Sequence, residues 1–138
     1  MNNDKNLVKV TDGEPKKEET AEVVNTDALE VNAENIDQIV KSGKGILKLS
    51  KEIEIDGKKT DSIYFDFSSM SGIQYRNIIR KVEKKNKTSL QGQPAGDIDV
   101  QTEVFSVASD IPVAIIASDL SMKDFALAST VTYAFLMA

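Results

Sequence analysis

The stretch from Leu47 to Phe67, LKLSKEIEIDGKKTDSIYFDF, decides the fold. Leu47, Leu49, Ile53 and Ile55 fall between Lys48, Ser50, Glu52 and Glu54, and beyond Asp56-Gly57 the residues Ile63, Phe65 and Phe67 lie on one side with Tyr64 and Asp66 on the other. A period of two with one apolar face predicts a pair of half-buried strands, a hairpin over 46–67. Asp-Gly accepts the positive φ that a tight turn demands, and Lys58, Lys59 and Thr60 predict a connection longer than two residues. A lone hairpin is marginal in water, so its apolar face requires a cover.

The cover is found downstream. Ser71-x-x-Gln74 has the form of a capping box, and Tyr75, Ile78, Ile79 and Val82 then share one face, which predicts a helix over 72–85. Gly92, Pro94 and Gly96 mark a flexible loop from about Asn86 to Gly96. Asp97 or Asp99 caps the next helix, over 99–110, whose Val100, Val104, Val107, Ala108 and Ile111 keep helical spacing. Pro112 breaks it and opens a short helix over 112–117, and Ser121-x-x-Asp124 starts the last, over 122–135. The expected class is α+β, a β-hairpin followed by a small cluster of three to four helices, with residues 45–138 as the folded domain. Residues 1–44 read differently. Asp12, Glu14, Glu18, Glu19, Glu22, Asp27, Glu30, Glu34 and Asp37 face few cations and no aromatic, a composition that buries too little to offset ordering, so a mostly disordered acidic arm is expected. Its exception is Ile36, Ile39 and Val40, spaced for a short helix near 34–42 that Gly43 stops.

Composition removes several function classes. Among 138 residues there is no His, no Cys and no Trp, which excludes Ser/His/Asp and Cys/His nucleophilic machinery, thiolate or imidazole zinc sites and disulfides. Carboxylate chemistry, Ser/Lys chemistry or no chemistry remains. The first ten residues have neither a basic start nor an apolar run, so a cytoplasmic location is expected. The net charge of −5 argues against non-specific nucleic-acid binding by the whole molecule.

Two surfaces stand out as candidates. Arg76, Arg80, Lys81, Lys84, Lys85 and Lys87 form a basic cluster opposed only by Glu83; a solvated face is its first reading, a protein-binding face its second, and nucleic-acid binding would want a broader field and stacking aromatics. Asp97-x-Asp99 is better placed to cap a helix than to hold a cation, having none of the further oxygen ligands of a calcium loop. No catalytic constellation, cofactor site or metal site is assigned. The apolar run from Phe125 is too short to span a membrane. It offers only Ser129, Thr130 and Thr132 as polar relief, so Phe125, Leu127, Val131, Phe135 and Leu136 either close the core or leave apolar surface exposed for a partner, and the second is the reading taken forward.

Taken together, the hairpin with Asp56-Gly57 at its turn, the helix, the gap, the Leu120-Ser121-x-x-Asp124-Phe125 step and the closing Phe135-Leu136 resemble the tail assembly chaperones of long-tailed bacteriophages, over about Gly45 to Ala138. The resemblance implies a non-enzymatic viral protein without cofactors, acting in the host bacterial cytoplasm. Such a protein covers the aggregation-prone tape measure protein, helps recruit tail tube subunits, and is absent from the finished virion. Its partners would be the tape measure protein, the tail tube protein and, in an oligomer, further copies of itself. A phage structural or adaptor subunit, and a small nucleic-acid-binding regulator using the basic cluster, are the alternatives.

Overall fold

A computed structural model of the chain describes residues 28–138. Its elements are β1 (Leu29–Glu30), α1 (Ile36–Ser42), β2 (Lys44–Ile55), β3 (Lys58–Asp66), α2 (Gly72–Asn86), α3 (Ile98–Ser109), α4 (Val113–Ser118) and α5 (Met122–Met137), with 3₁₀ turns at Phe67–Ser69 and Pro94–Gly96. The class is α+β. A three-stranded sheet in the order β1-β2-β3 carries its helices against the face formed by Leu47, Leu49, Ile53, Ile63 and Phe65, all buried.

The hairpin turns more tightly than the lysines after Gly57 suggest. Ile55 pairs with Lys58, leaving Asp56 and Gly57 as a two-residue turn with φ of 52° and 80°. Positive φ at both central positions matches the right-handed twist of the strands, and Lys58, Lys59 and Thr60 therefore belong to β3. The irregularity lies within β2: Lys48 pairs with Ser62 and Ile53 with Thr60, five steps on one strand against two on the other. That bulge frees backbone N–H groups at Ser50 and Lys51, which must find acceptors elsewhere.

The expected arm falls into two parts. Residues 1–27 lie outside the described residues. Those from Leu29 onward belong to the fold, because β1 adds to β2 in parallel, with Leu29 beside Gly45 and Glu30 beside Ile46, and Val31 and Ile39 are buried in the common core. The acidic composition hid this, since two apolar residues inserted into an existing sheet and core suffice to order a short segment. Helix α1 ends at Gly43, whose φ of 79° and N–H bond to the Ile39 carbonyl, 2.7 Å, form a left-handed cap.

Four phenylalanines join the layers. The Phe65 ring lies 5.1 Å from Phe67 and 5.4 Å from Phe105 of α3, and Phe67 stacks at 4.8 Å on Phe135 of α5. Phe105, with Val100 and Val104, is part of the α3 core face, whereas Val107, expected there, is exposed. Because α3 packs against α2, α5 and β3, its buried face is broader than one helical stripe. Phe65 also covers its cross-strand neighbour Gly45, where a Cβ would stand 2.6 Å from Phe65 Cζ. Gly45→Ala is expected to lower stability by about 1–3 kcal/mol, because a ring held on every side cannot withdraw; urea unfolding would report it as a lower midpoint at unchanged m.

The segment expected to be a flexible loop is tied down at two points. The Leu90 N–H donates to Glu83 Oε2 at 2.8 Å, and the Ala95 carbonyl accepts from Gln101 Nε2 at 2.7 Å. Its Gly and Pro residues shape the 3₁₀ turn that buries Ala95.

Candidate functional site

Helix α5 begins at Ser121, whose Oγ accepts from the Asp124 N–H at 3.2 Å. The Asp124 carboxylate is turned away from its own helix onto the β2 bulge. It accepts the Ser50 N–H at 2.9 Å on both oxygens and the Lys51 N–H at 3.4 Å, while Ser50 Oγ and Ser121 Oγ meet at 3.0 Å. Asp124 is 1% exposed. Burial by itself pushes this carboxyl up, but the Ser50 N–H, the Ser121 and Ser50 hydroxyls and the Lys51 N–H together outweigh it and hold it below the usual aspartate value. Leu120 is buried and Phe125 half-buried, so the Leu-Ser-x-x-Asp-Phe step is the joint between the last helix and the sheet. Sequence reading placed Asp124 at the helix start; its contact with a strand 74 residues earlier has no local signature.

From this joint α5 crosses the sheet and presents its residues unequally. Val131 is 0% exposed and faces the core. Phe125, Leu127, Phe135 and Leu136 are half-buried, each packed against the core with an edge outward. Of the five expected partner residues, Phe135 and Leu136 come together with Phe67, Met70, Gly72, Tyr75 and Val104 around an open groove of about 250 Å³. The groove lies between the last turns of α5 and the start of α2, where the Ser71/Gln74 capping box, with bonds of 2.8 and 3.2 Å, fixes the helix end. Burial among these side chains raises the Tyr75 phenol above its ordinary value. Directly beside the lining residues in sequence stand Ile73, 69% exposed, and Met137, 59% exposed. Sequence reading missed Met70, Ile73 and Met137. Met70 between Ser69 and Ser71, and Ile73 between Gly72 and Gln74, were isolated apolar signals, whereas Met137 continues the apolar run of α5.

The basic residues Arg76, Arg80, Lys81, Lys84, Lys85 and Lys87 are all exposed. Lys81 pairs with Glu103 of α3 at 3.1 Å, a link between neighbouring helices at a solvated edge. Gly72, Arg76, Arg80 and Lys84 succeed one another at intervals of four, so a cationic row runs along α2 from the groove wall. Asp97 caps α3, its Oδ1 accepting from the N–H groups of Asp99 at 2.9 Å and Val100 at 3.0 Å, and Asp99 accepts from Asn86 Nδ2 at 2.8 Å. Among the described residues there is no cluster of three metal-ligating side chains, and no helix long and apolar enough to cross a membrane. No family model, no curated protein and no solved structure matches this chain.

Proposed function

We propose that this chain is a non-enzymatic tail assembly chaperone of a long-tailed bacteriophage. It works in the host bacterial cytoplasm, covering apolar stripes of the tape measure protein and helping to recruit tail tube subunits before it is released. The observation that supports this reading is the open apolar groove between α2 and α5, in which half-buried Tyr75, Phe135 and Leu136 offer edges to a partner while the fold behind them is already closed. A groove of this size and lining suits a few apolar side chains from one face of an amphipathic helix. Burial of each would contribute roughly 1.5–3 kcal/mol.

Co-expression with a helical tape measure fragment tests the proposal. The fragment should stay soluble and elute with this chain in size-exclusion chromatography. A fragment that precipitates alone and also precipitates in its presence would refute the reading. Assembly of the chain by itself into rings or tubes would favour a structural subunit instead, and a salt-dependent shift of DNA would favour the nucleic-acid regulator.

A further inference from the structure

We infer that the partner seated in the groove between α2 and α5 is an amphipathic protein helix with an acidic flank: apolar side chains at one end enter the groove, and carboxylates spaced four residues apart beyond them meet Arg76, Arg80 and Lys84. This rests on the groove as the proposed client site and adds the chemistry by which it would choose among apolar helices. The observation that carries it is the difference between the two walls. From Phe125 to Met137 helix α5 has no charged residue, so its wall is neutral. The α2 wall continues into cations. Arg76, Arg80 and Lys84 follow the groove-lining Gly72 at successive turns, about 6 Å apart along the helix axis. All three are exposed.

Little within the fold offsets this row. Among the described residues the only ion pair is Lys81–Glu103, which ties α2 to α3 and leaves the groove side of α2 untouched. Glu83 is the one acid of α2, and its Oε2 accepts the Leu90 N–H at 2.8 Å. Asp66, next to the lining Phe67, has its Oδ1 turned onto the N–H and hydroxyl of Ser68. No lining residue is charged. The result is a one-sided positive field beside an apolar slot. Nucleic acid fits it less well, since α2 presents no exposed aromatic for stacking, Tyr75 being half-buried, and the whole chain carries a charge of −5. A protein helix matches both halves. Its residues at i, i+3 and i+4 fill the slot, and Asp or Glu at further intervals of four face the row. Such a flank selects among partners more than it adds affinity.

The test uses the full chain and three synthetic helical peptides of about eighteen residues, roughly 27 Å long. They share one apolar end of Leu and Phe and differ only in carrying Glu, Gln or Lys at every fourth position beyond it. Fluorescence anisotropy at low salt should show the Glu peptide binding at least about fivefold more tightly than the Gln peptide, as several exposed ion pairs allow, with the Lys peptide weakest. In about 1 M salt, where the screening length is about 3 Å, the preference should shrink to within about twofold. Arg76→Glu/Arg80→Glu should invert the order, whereas Lys85→Glu/Lys87→Glu, an equal change of net charge elsewhere on α2, should preserve it. Glu and Lys peptides bound alike, no peptide bound at all, or an order that Lys85→Glu/Lys87→Glu inverts equally would overturn the inference. So would duplex DNA that displaces the Glu peptide at matching concentration, which would assign the row to nucleic acid. Equal binding of all three peptides leaves the groove standing as an apolar client site. Conversely, a charge-dependent order in a chain that solubilises no tape measure fragment would sink the chaperone reading and leave the acid-flanked partner in place.

Discussion

Asp124→Ala is expected to reduce the unfolding free energy by about 2–4 kcal/mol, lowering the melting temperature by roughly 10–20 °C. The substitution leaves the bulge N–H groups of Ser50 and Lys51 without the acceptor they have in the native fold. These bonds are part-buried, and a donor left unmade where water is excluded costs its desolvation, about 1–3 kcal/mol, with charge on the acceptor increasing the loss. Asp124→Asn should fall between the variant and the native chain, because the amide keeps one acceptor oxygen but turns an NH₂ toward backbone donors. Thermal unfolding followed by circular dichroism orders the three. The same carboxylate makes stability acid-sensitive. Its folded-state value lies below the ordinary one, so its contribution is complete above about pH 5, where the unfolded chain is ionised too, and is lost as pH falls through the folded value. In Asp124→Asn this part of the pH dependence should disappear.

The second large effect concerns the proposed client. Leu136→Asp should weaken binding of a tape measure fragment at least about 100-fold, since it removes roughly 1.5–3 kcal/mol of apolar burial and places a carboxylate where it would be desolvated. Phe135 is a poorer choice of position. Its ring stacks on Phe67 at 4.8 Å, so Phe135→Asp would disturb the core together with the groove. Leu136 is half-buried at the groove wall, and Met137→Asp, at an exposed neighbour, provides a milder control that leaves packing alone. Titration of a fluorescent fragment gives the affinities, and a native melting curve for Leu136→Asp separates loss of binding from loss of fold.

Local patterns carried much of this fold and long-range ones did not. The alternation in Leu47–Phe67 and the caps at Ser71, Asp97 and Ser121 could be read because strand period and helix capping are written within a few residues. The pairing of Leu29–Glu30 with Gly45–Ile46, the bulge after Lys48 and the reach of Asp124 across to Ser50 depend on groups distant in sequence. Each was invisible for that reason. The candidate site was legible only in part. Helix α5 is apolar on nearly every side, and a helix without a clear polar face gives no direction by which to tell inward Val131 from groove-lining Leu136. The partner that makes this distinction is α2, whose first turn meets the last turns of α5 only in three dimensions.

Amide shifts of the isotopically labelled full chain, followed as an unlabelled tape measure fragment is added, address the groove directly. Binding at the groove should move Met70, Gly72, Tyr75 and Leu136 together, saturating at one concentration, while Asp56 and Gly57 stay in place. A fragment that binds with those four unmoved, and instead shifts the exposed face of the sheet around Lys48 and Ser62, would contradict the assignment of this groove as the client site.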